Sequence, residues 1–150
     1  MSVPFRILLF AVLALWCAGI FIEWFVGIHE NFLFALPFLQ KSYSLVCHQE
    51  HSKLIFFEHG VTLTCARCTG IYSGMLFISF LALFGIVKKR PEIKFLFIAA
   101  APMAADVILY SLNVYRYSKT AAFITGLLLG SAGFLYLYAG LKNLIAELKK

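Results

Sequence analysis

Four stretches of about twenty mostly apolar residues constrain this chain more than anything else in it. A helix needs about 20 such residues to cross a hydrocarbon core of roughly 30 Å. Residues 7–28, 69–87, 95–114 and 121–141 each meet that length, the third despite Pro102 and Asp106. The 150 residues are 62% hydrophobic and 13% charged, against about 45–50% and 25% in a soluble domain. These values predict an all-α integral membrane protein, a single four-helix domain over residues 1–150. Residues 88–94 and 115–120 are short links, and short links make antiparallel neighbours. The first two spans are instead joined by a long loop, residues 29–68.

Only Arg6 precedes the first apolar run and no small-x-small cleavage site follows it, so the run reads as a permanent anchor. With both termini cytoplasmic, Arg6, Lys88, Lys89, Arg90, Lys94, Lys142, Lys149 and Lys150 lie inside. Lys41, Lys53, Arg67, Arg116 and Lys119 lie outside, a bias of eight against five. That bias predicts a loop facing outward, and the expected location is the cytoplasmic (inner) membrane. The net charge of +6 sits beside apolar runs, where lipid headgroups account for it without nucleic acid. Within the loop, the apolar stretch at residues 32–39 is too short to span and contains Pro37, which predicts an interfacial or re-entrant segment.

The chemistry-bearing residues are concentrated in this loop. Cys65 and Cys68 form a C-x-x-C pair at the mouth of the second span, and Cys47 and His48 lie upstream, followed by His51. A structural zinc site takes four ligands, often three cysteines and a histidine. Cys47, Cys65 and Cys68 supply the sulfurs, with His48 or His51 as the fourth ligand, and zinc or a softer related metal fits this set. Arg67 would offset part of the thiolate charge. Two other readings stay open. Cys65 and Cys68 at a helix N-terminus would be acidified thiols fit for thiol–disulfide exchange, making the chain a membrane oxidoreductase, with a quinone as electron acceptor. Alternatively, the thiols form a plain disulfide staple, which an extracytoplasmic loop permits. Cys17 reads as a small apolar helix residue, and His29 and His59 as solvated or interfacial side chains. Thr69 stands where c-type haem attachment wants histidine.

The motifs Cys47-His48-Gln49 and Cys65-Ala66-Arg67-Cys68-Thr69-Gly70-Ile71-Tyr72-Ser73-Gly74, with Gly60 between them, closely resemble the signature of an uncharacterised family of small prokaryotic membrane proteins, a domain of unknown function. Pro102, Asp106, Thr125, Gly126 and Gly130 are similar to its later landmarks. The resemblance spans about residues 45–135 and implies a fold and a site, with Gln49, Arg67, Thr69, Gly70 and Tyr72 supporting it. It brings no activity. The family's polar pattern in the last two spans is only loosely matched, by Asn113, Arg116 and Ser118.

Glu23 and Asp106 are the only acids in the predicted spans. Carboxylates in hydrocarbon usually face a bundle interior or wet cavity. Glu23 reads as structural. Asp106 suits either a proton or cation path or a structural hydrogen bond to Asn113, Tyr110 or Thr125, which keeps a small-ion transport or structural subunit in view. Gly70-x-x-x-Gly74 and Gly126-x-x-x-Gly130 are smooth stripes of the kind that let helices approach closely in lipid. Packing within the bundle is the preferred reading, with a homo-oligomer or membrane partner at Gly126 and Gly130 as the alternative.

Overall fold

The computed structural model describes residues 3–28, 30–87 and 92–147. Its helices are α1 (Val3–Ile20), α2 (Ile22–Ile28), α3 (Leu36–Ser44), α4 (Ala66–Leu83), α5 (Ile93–Ser111) and α6 (Lys119–Glu147), with strands β1 (Leu54–Phe57) and β2 (Gly60–Cys65) ahead of α4. Helices α1, α4, α5 and α6 are each long and apolar enough to cross a membrane. Large apolar side chains such as Leu15, Phe97 and Ile98 face outward on them, as expected where lipid is the solvent. The fold is that of an all-α membrane protein carrying one small hairpin.

Helix α4 lies at the centre. It packs on α6 along its length and on α1 along another face, while α5 packs on α6. The α4–α6 contact is made by glycine. A Cβ added at Gly70 would sit 2.2 Å from the Phe123 carbonyl oxygen, and one at Gly74 would sit 2.3 Å from that of Leu127. From the other helix, Gly126 faces the Arg67 carbonyl oxygen at 2.3 Å and Gly130 that of Ile71 at 2.0 Å. The two stripes therefore interlock within one chain, backbone on backbone, and the pairs run in parallel register. The contact that Gly126 and Gly130 would offer to a second protomer is already taken by α4, because nothing wider than hydrogen fits there.

The first apolar run is not one helix. At Phe21 the helical ladder gives way to a tighter bond from the Phe21 N–H to the Ala18 carbonyl at 3.1 Å, and α2 resumes beyond it. The expected span at residues 7–28 is thus α1 alone, about 27 Å long by helical rise, and α2 packs against β2 instead. Glu23 explains the break. Its carboxylate accepts from the Gln40 side chain at 3.3 Å and from the Val61 N–H at 3.2 Å, so it ties α2 to α3 and the hairpin. Glycine again permits the contact, because a Cβ at Gly60 would lie 2.8 Å from the Glu23 carbonyl carbon.

The link between the spanning helices α1 and α4 is accordingly structured rather than an open loop. Strands β1 and β2 pair antiparallel, Leu54 opposite Cys65 and Phe57 opposite Gly60. In the segment expected to be interfacial, Phe34 (95% exposed) and Phe38 (75%) face outward while Tyr43 is wholly buried. The Tyr43 hydroxyl donates to the Trp16 carbonyl, its ring lies 4.6 Å from that of Trp16, and burial pushes the phenol up to about 12. Tyr43 therefore nails α3 to α1. At the opposite end, Arg6 donates to the Ala82 carbonyl at 3.4 Å, which sets the start of α1 beside the end of α4. Lys88, Lys89, Arg90, Lys149 and Lys150, on which the orientation reading leans, and His29 lie outside the described residues.

The interlock predicts a sharp contrast between two glycines of α6. Gly130→Val should cost about 1–3 kcal/mol or more by forcing backbones apart. Gly133→Val, whose Cβ meets nothing within 4 Å, should stay within about 0.5 kcal/mol of wild type. Unfolding midpoints in mixed detergent micelles measure both.

Candidate metal centre

Three elements converge on one point. The last turn of α3 sets Cys47, whose N–H donates to the Tyr43 carbonyl at 2.9 Å. The end of β2 sets Cys65, and the first turn of α4 sets Cys68. The three Sγ atoms lie within 4.8 Å of one another, with Cys47 buried and the other two half-buried. All four cysteines are free thiols. Cys17 stands apart, donating to the Tyr72 carbonyl at 3.5 Å, an α1–α4 packing contact as its apolar reading anticipates. Tyr72 also sets its ring edge-on to Trp16 at 5.9 Å.

The Cys47 sulfur is the hub. The Cys65 N–H donates to it at 3.2 Å. Hydrogen bonding from the side chains of Cys65 and Cys68 pulls the Cys47 thiol far below the usual range, and the backbone amides of Cys65 and Gln49 add to this. The same pairing holds the proton on Cys65, whose thiol is raised chiefly by its bond to Cys47. Three thiols this close cannot all ionise unaided; they share protons or take a cation.

The turn after Cys47 depends on Gln49, which adopts φ +50°, an uncommon left-handed state for a non-glycine residue. Its amide group donates to the Leu63 carbonyl at 2.8 Å and the Gln40 carbonyl at 3.4 Å, so the Cys47 turn is clamped onto β2. Thr69 plays the matching part on α4. Its hydroxyl, wholly buried, lies 2.9 Å from that of Thr64 and donates to the Cys65 carbonyl at 3.1 Å. Thr62 in turn donates to the Thr64 carbonyl at 2.8 Å. Threonines alternating along β2 thus satisfy the backbone that carries Cys65.

The histidines do not join the sulfurs. His48 is exposed beside Cys47. His51 stacks edge-on against Phe56 at 5.0 Å and lines a separate polar cleft of about 480 Å³ with Glu23, Gln40 and Gln49. The only cluster of three or more histidine, cysteine or acidic groups among the described residues is the sulfur trio.

Arg67 also differs from expectation. Its guanidinium donates to Asp106 of α5 rather than standing as a free countercharge to the thiolates. The other Asp106 oxygen accepts from Tyr115. Asp106 is 7% exposed, so this is a buried ion pair linking α5 to the turn of α4 between two cysteines. Its partners are Arg67 and Tyr115, not Asn113, Tyr110 or Thr125. Asn113 instead closes α5 with φ +54°, and Ser118 caps α6 through a bond from the Ala121 N–H at 3.4 Å. Tyr117, which no sequence motif marks, lies with its ring 6.0 Å from the Arg67 guanidinium carbon, and burial pushes its phenol up to about 12.

Removing one partner of a buried pair strands the other charge, which costs about 3–5 kcal/mol. Asp106→Asn should therefore destabilise the protein by that order, whereas the double variant Arg67→Met/Asp106→Leu should recover most of it. Gln49→Ala, losing its clamp on Leu63, should cost about 1 kcal/mol. Detergent unfolding of the four proteins measures these differences.

Comparison with known proteins agrees with this architecture. A family model described as "Predicted membrane protein (DUF2085)" matches residues 47–136, from the first cysteine of the trio into the second half of α6. An uncharacterized protein of Methanocaldococcus jannaschii, MJ1492, is 32% identical over 104 residues, 66% of this chain. The chain spans about 65% of the length of that relative. No solved structure matches it. The region of the family match holds all three clustered thiols, the glycine interlock and the Arg67–Asp106 pair, and the chain belongs to the DUF2085 family of predicted membrane proteins.

Proposed function

We propose that this is a small protein of the cytoplasmic membrane, both termini inside, whose Cys47, Cys65 and Cys68 hold one zinc-like ion at the outward end of α4. The distance between the sulfurs carries the reading. A tetrahedral ion with Zn–S bonds of about 2.3 Å separates its sulfurs by about 3.8 Å. Sulfurs already within 4.8 Å need move only slightly to meet that geometry. The donors are soft, preorganised by Gln49 and Thr69, and one already favours the thiolate.

Such an ion would fasten α3, the hairpin and α4 to one another, so metal binding here contributes directly to folding. His48, exposed beside Cys47, is the residue that would complete a Cys3His set; otherwise solvent supplies the fourth ligand, as in zinc sites that keep a position open. Asp106, neutralised by Arg67, supports a structural role better than a proton path.

One observation favours a second reading. A low-lying Cys47 thiol within reach of Cys65 and Cys68, which are raised rather than acidified, is also an arrangement for thiol–disulfide exchange around the Cys65/Cys68 pair, with a quinone taking the electrons. Purification without chelator under argon separates the two. The metal reading predicts about one zinc per chain and thiols that react only after chelation or unfolding. It further predicts weaker loading as pH falls, because the protons that the metal displaced return to the thiols, first to the raised Cys68 and Cys65. A metal-free chain with two thiols appearing only on reduction would overturn it, and turnover of that disulfide would then separate exchange from a plain staple. His48→Ala that keeps zinc but loses affinity assigns the fourth ligand; an unchanged affinity assigns it to solvent.

A further inference from the structure

The end of the bundle that carries the thiols also carries two apolar recesses, which share only Thr69 with the thiol site. The first, of about 390 Å³, lies between the hairpin and the opening turns of α4 and α6. Phe21, Ile55, Phe57 and Phe123 form its walls, and Thr69, Ser73, Thr120 and Lys119 its polar edge. The second, of about 360 Å³, is lined by Phe21, Trp24, Phe25 and Phe57 alone. Phe21 and Phe57, their rings 5.9 Å apart, form the wall common to both.

We propose that this paired recess is a binding site for one anionic diacyl phospholipid of the surrounding bilayer, with an acyl chain on each side of the Phe21–Phe57 wall and the phosphate at Lys119. Three features of the recess select that ligand. Two apolar compartments on one ridge match two chains, where a fatty acid or other single-chain amphiphile would fill only one. Lys119 pairs with no carboxylate among the described residues; its ammonium rests 4.4 Å from the Phe56 ring centroid, a soft contact that leaves its charge available. It sits at the first turn of spanning helix α6, where headgroups lie. The side-chain hydroxyls of Ser73 and Thr120 take no hydrogen-bond partner among the described residues, although serine inside a helix commonly bonds back to the preceding turn. Their hydroxyls are therefore free for the glycerol esters or phosphate. This site goes beyond the metal reading and does not depend on it, since Lys119, Trp24 and Phe57 touch no sulfur of the trio.

The two tryptophans of the chain, Trp16 and Trp24, make a direct test possible. In a Trp16→Phe background Trp24 is the sole indole and lines the second recess. The protein is reconstituted in phosphatidylcholine vesicles, and brominated phosphatidylglycerol or brominated phosphatidylcholine is titrated in while Trp24 fluorescence is read. The proposal predicts half-maximal quenching by phosphatidylglycerol at about fivefold lower mole fraction, the effect of one lysine near an anionic headgroup. Lys119→Gln should remove the difference, and Ser73→Phe, which fills the first recess, should remove preferential quenching by either lipid. Native mass spectrometry of the wild type and Lys119→Gln, which needs no tryptophan change, should show one more phosphatidylglycerol than phosphatidylcholine retained, and only on the wild type. Equal quenching and equal retention of the two lipids would overturn the proposal. So would displacement of brominated phosphatidylglycerol by equimolar oleate, which would assign the site to single-chain anions. Zinc content measured on the same samples reports separately on the thiol site.

Discussion

The close approach of α4 and α6 is the contact on which the rest of this structure depends. In lipid there is no hydrophobic gain from pressing two apolar helices together, so association rests on packing and on satisfied polar groups. Four glycines, each facing a carbonyl of the other helix at 2.0–2.3 Å from where its Cβ would be, bring the backbones together. The parallel register places the first turns of both helices at one end. Cys65, Arg67 and Cys68 open α4 there, and Lys119 and Thr120 open α6. The first recess, lined by Thr69 and Ser73 of α4 and by Lys119, Thr120 and Phe123 of α6, is a consequence of that register.

Polar groups then stabilise what glycine positions. Burying a carboxylate or guanidinium is costly unless each finds a partner. Asp106 meets both Arg67 and Tyr115, and Glu23 meets both Gln40 and Val61. The first pair attaches α5 to α4, and the second attaches α2 to α3 and the hairpin. Helix α1, fixed by Tyr43, Cys17 and Arg6, closes the other face of α4. Each attachment leads back to the elements that deliver the three cysteines. A metal there would stiffen that whole end of the bundle.

Much of this was legible in the sequence, and the failures have physical causes. Hydropathy marks spanning helices because the bilayer demands length and apolarity together, and α4, α5 and α6 follow it. The break at Phe21 is invisible to hydropathy, since residues 21–28 are nearly as apolar as those before them. What breaks the helix is Glu23 reaching a strand nearly forty residues away. The hairpin had a signal in the alternation Val61, Thr62, Leu63, Thr64, but six residues are short evidence beside a membrane-scale pattern. The sulfur trio was visible from spacing alone. Spacing favoured a histidine in the same cluster, whereas His51 faces Phe56. Arg67 and Asp106 were each singled out but not as a pair, because 39 residues separate them. Tyr43, Tyr115 and Tyr117 belong to no motif, and only packing reveals them.

The account centres on a sulfur-bound metal joining α3, β2 and α4. X-ray absorption at the zinc edge of the purified, zinc-loaded protein tests this most directly, by counting the sulfurs around the ion. The account predicts three sulfur scatterers at about 2.3 Å with one lighter ligand, falling to two sulfurs in Cys47→Ser. A zinc shell of nitrogen and oxygen alone, or one indifferent to Cys47, would contradict it.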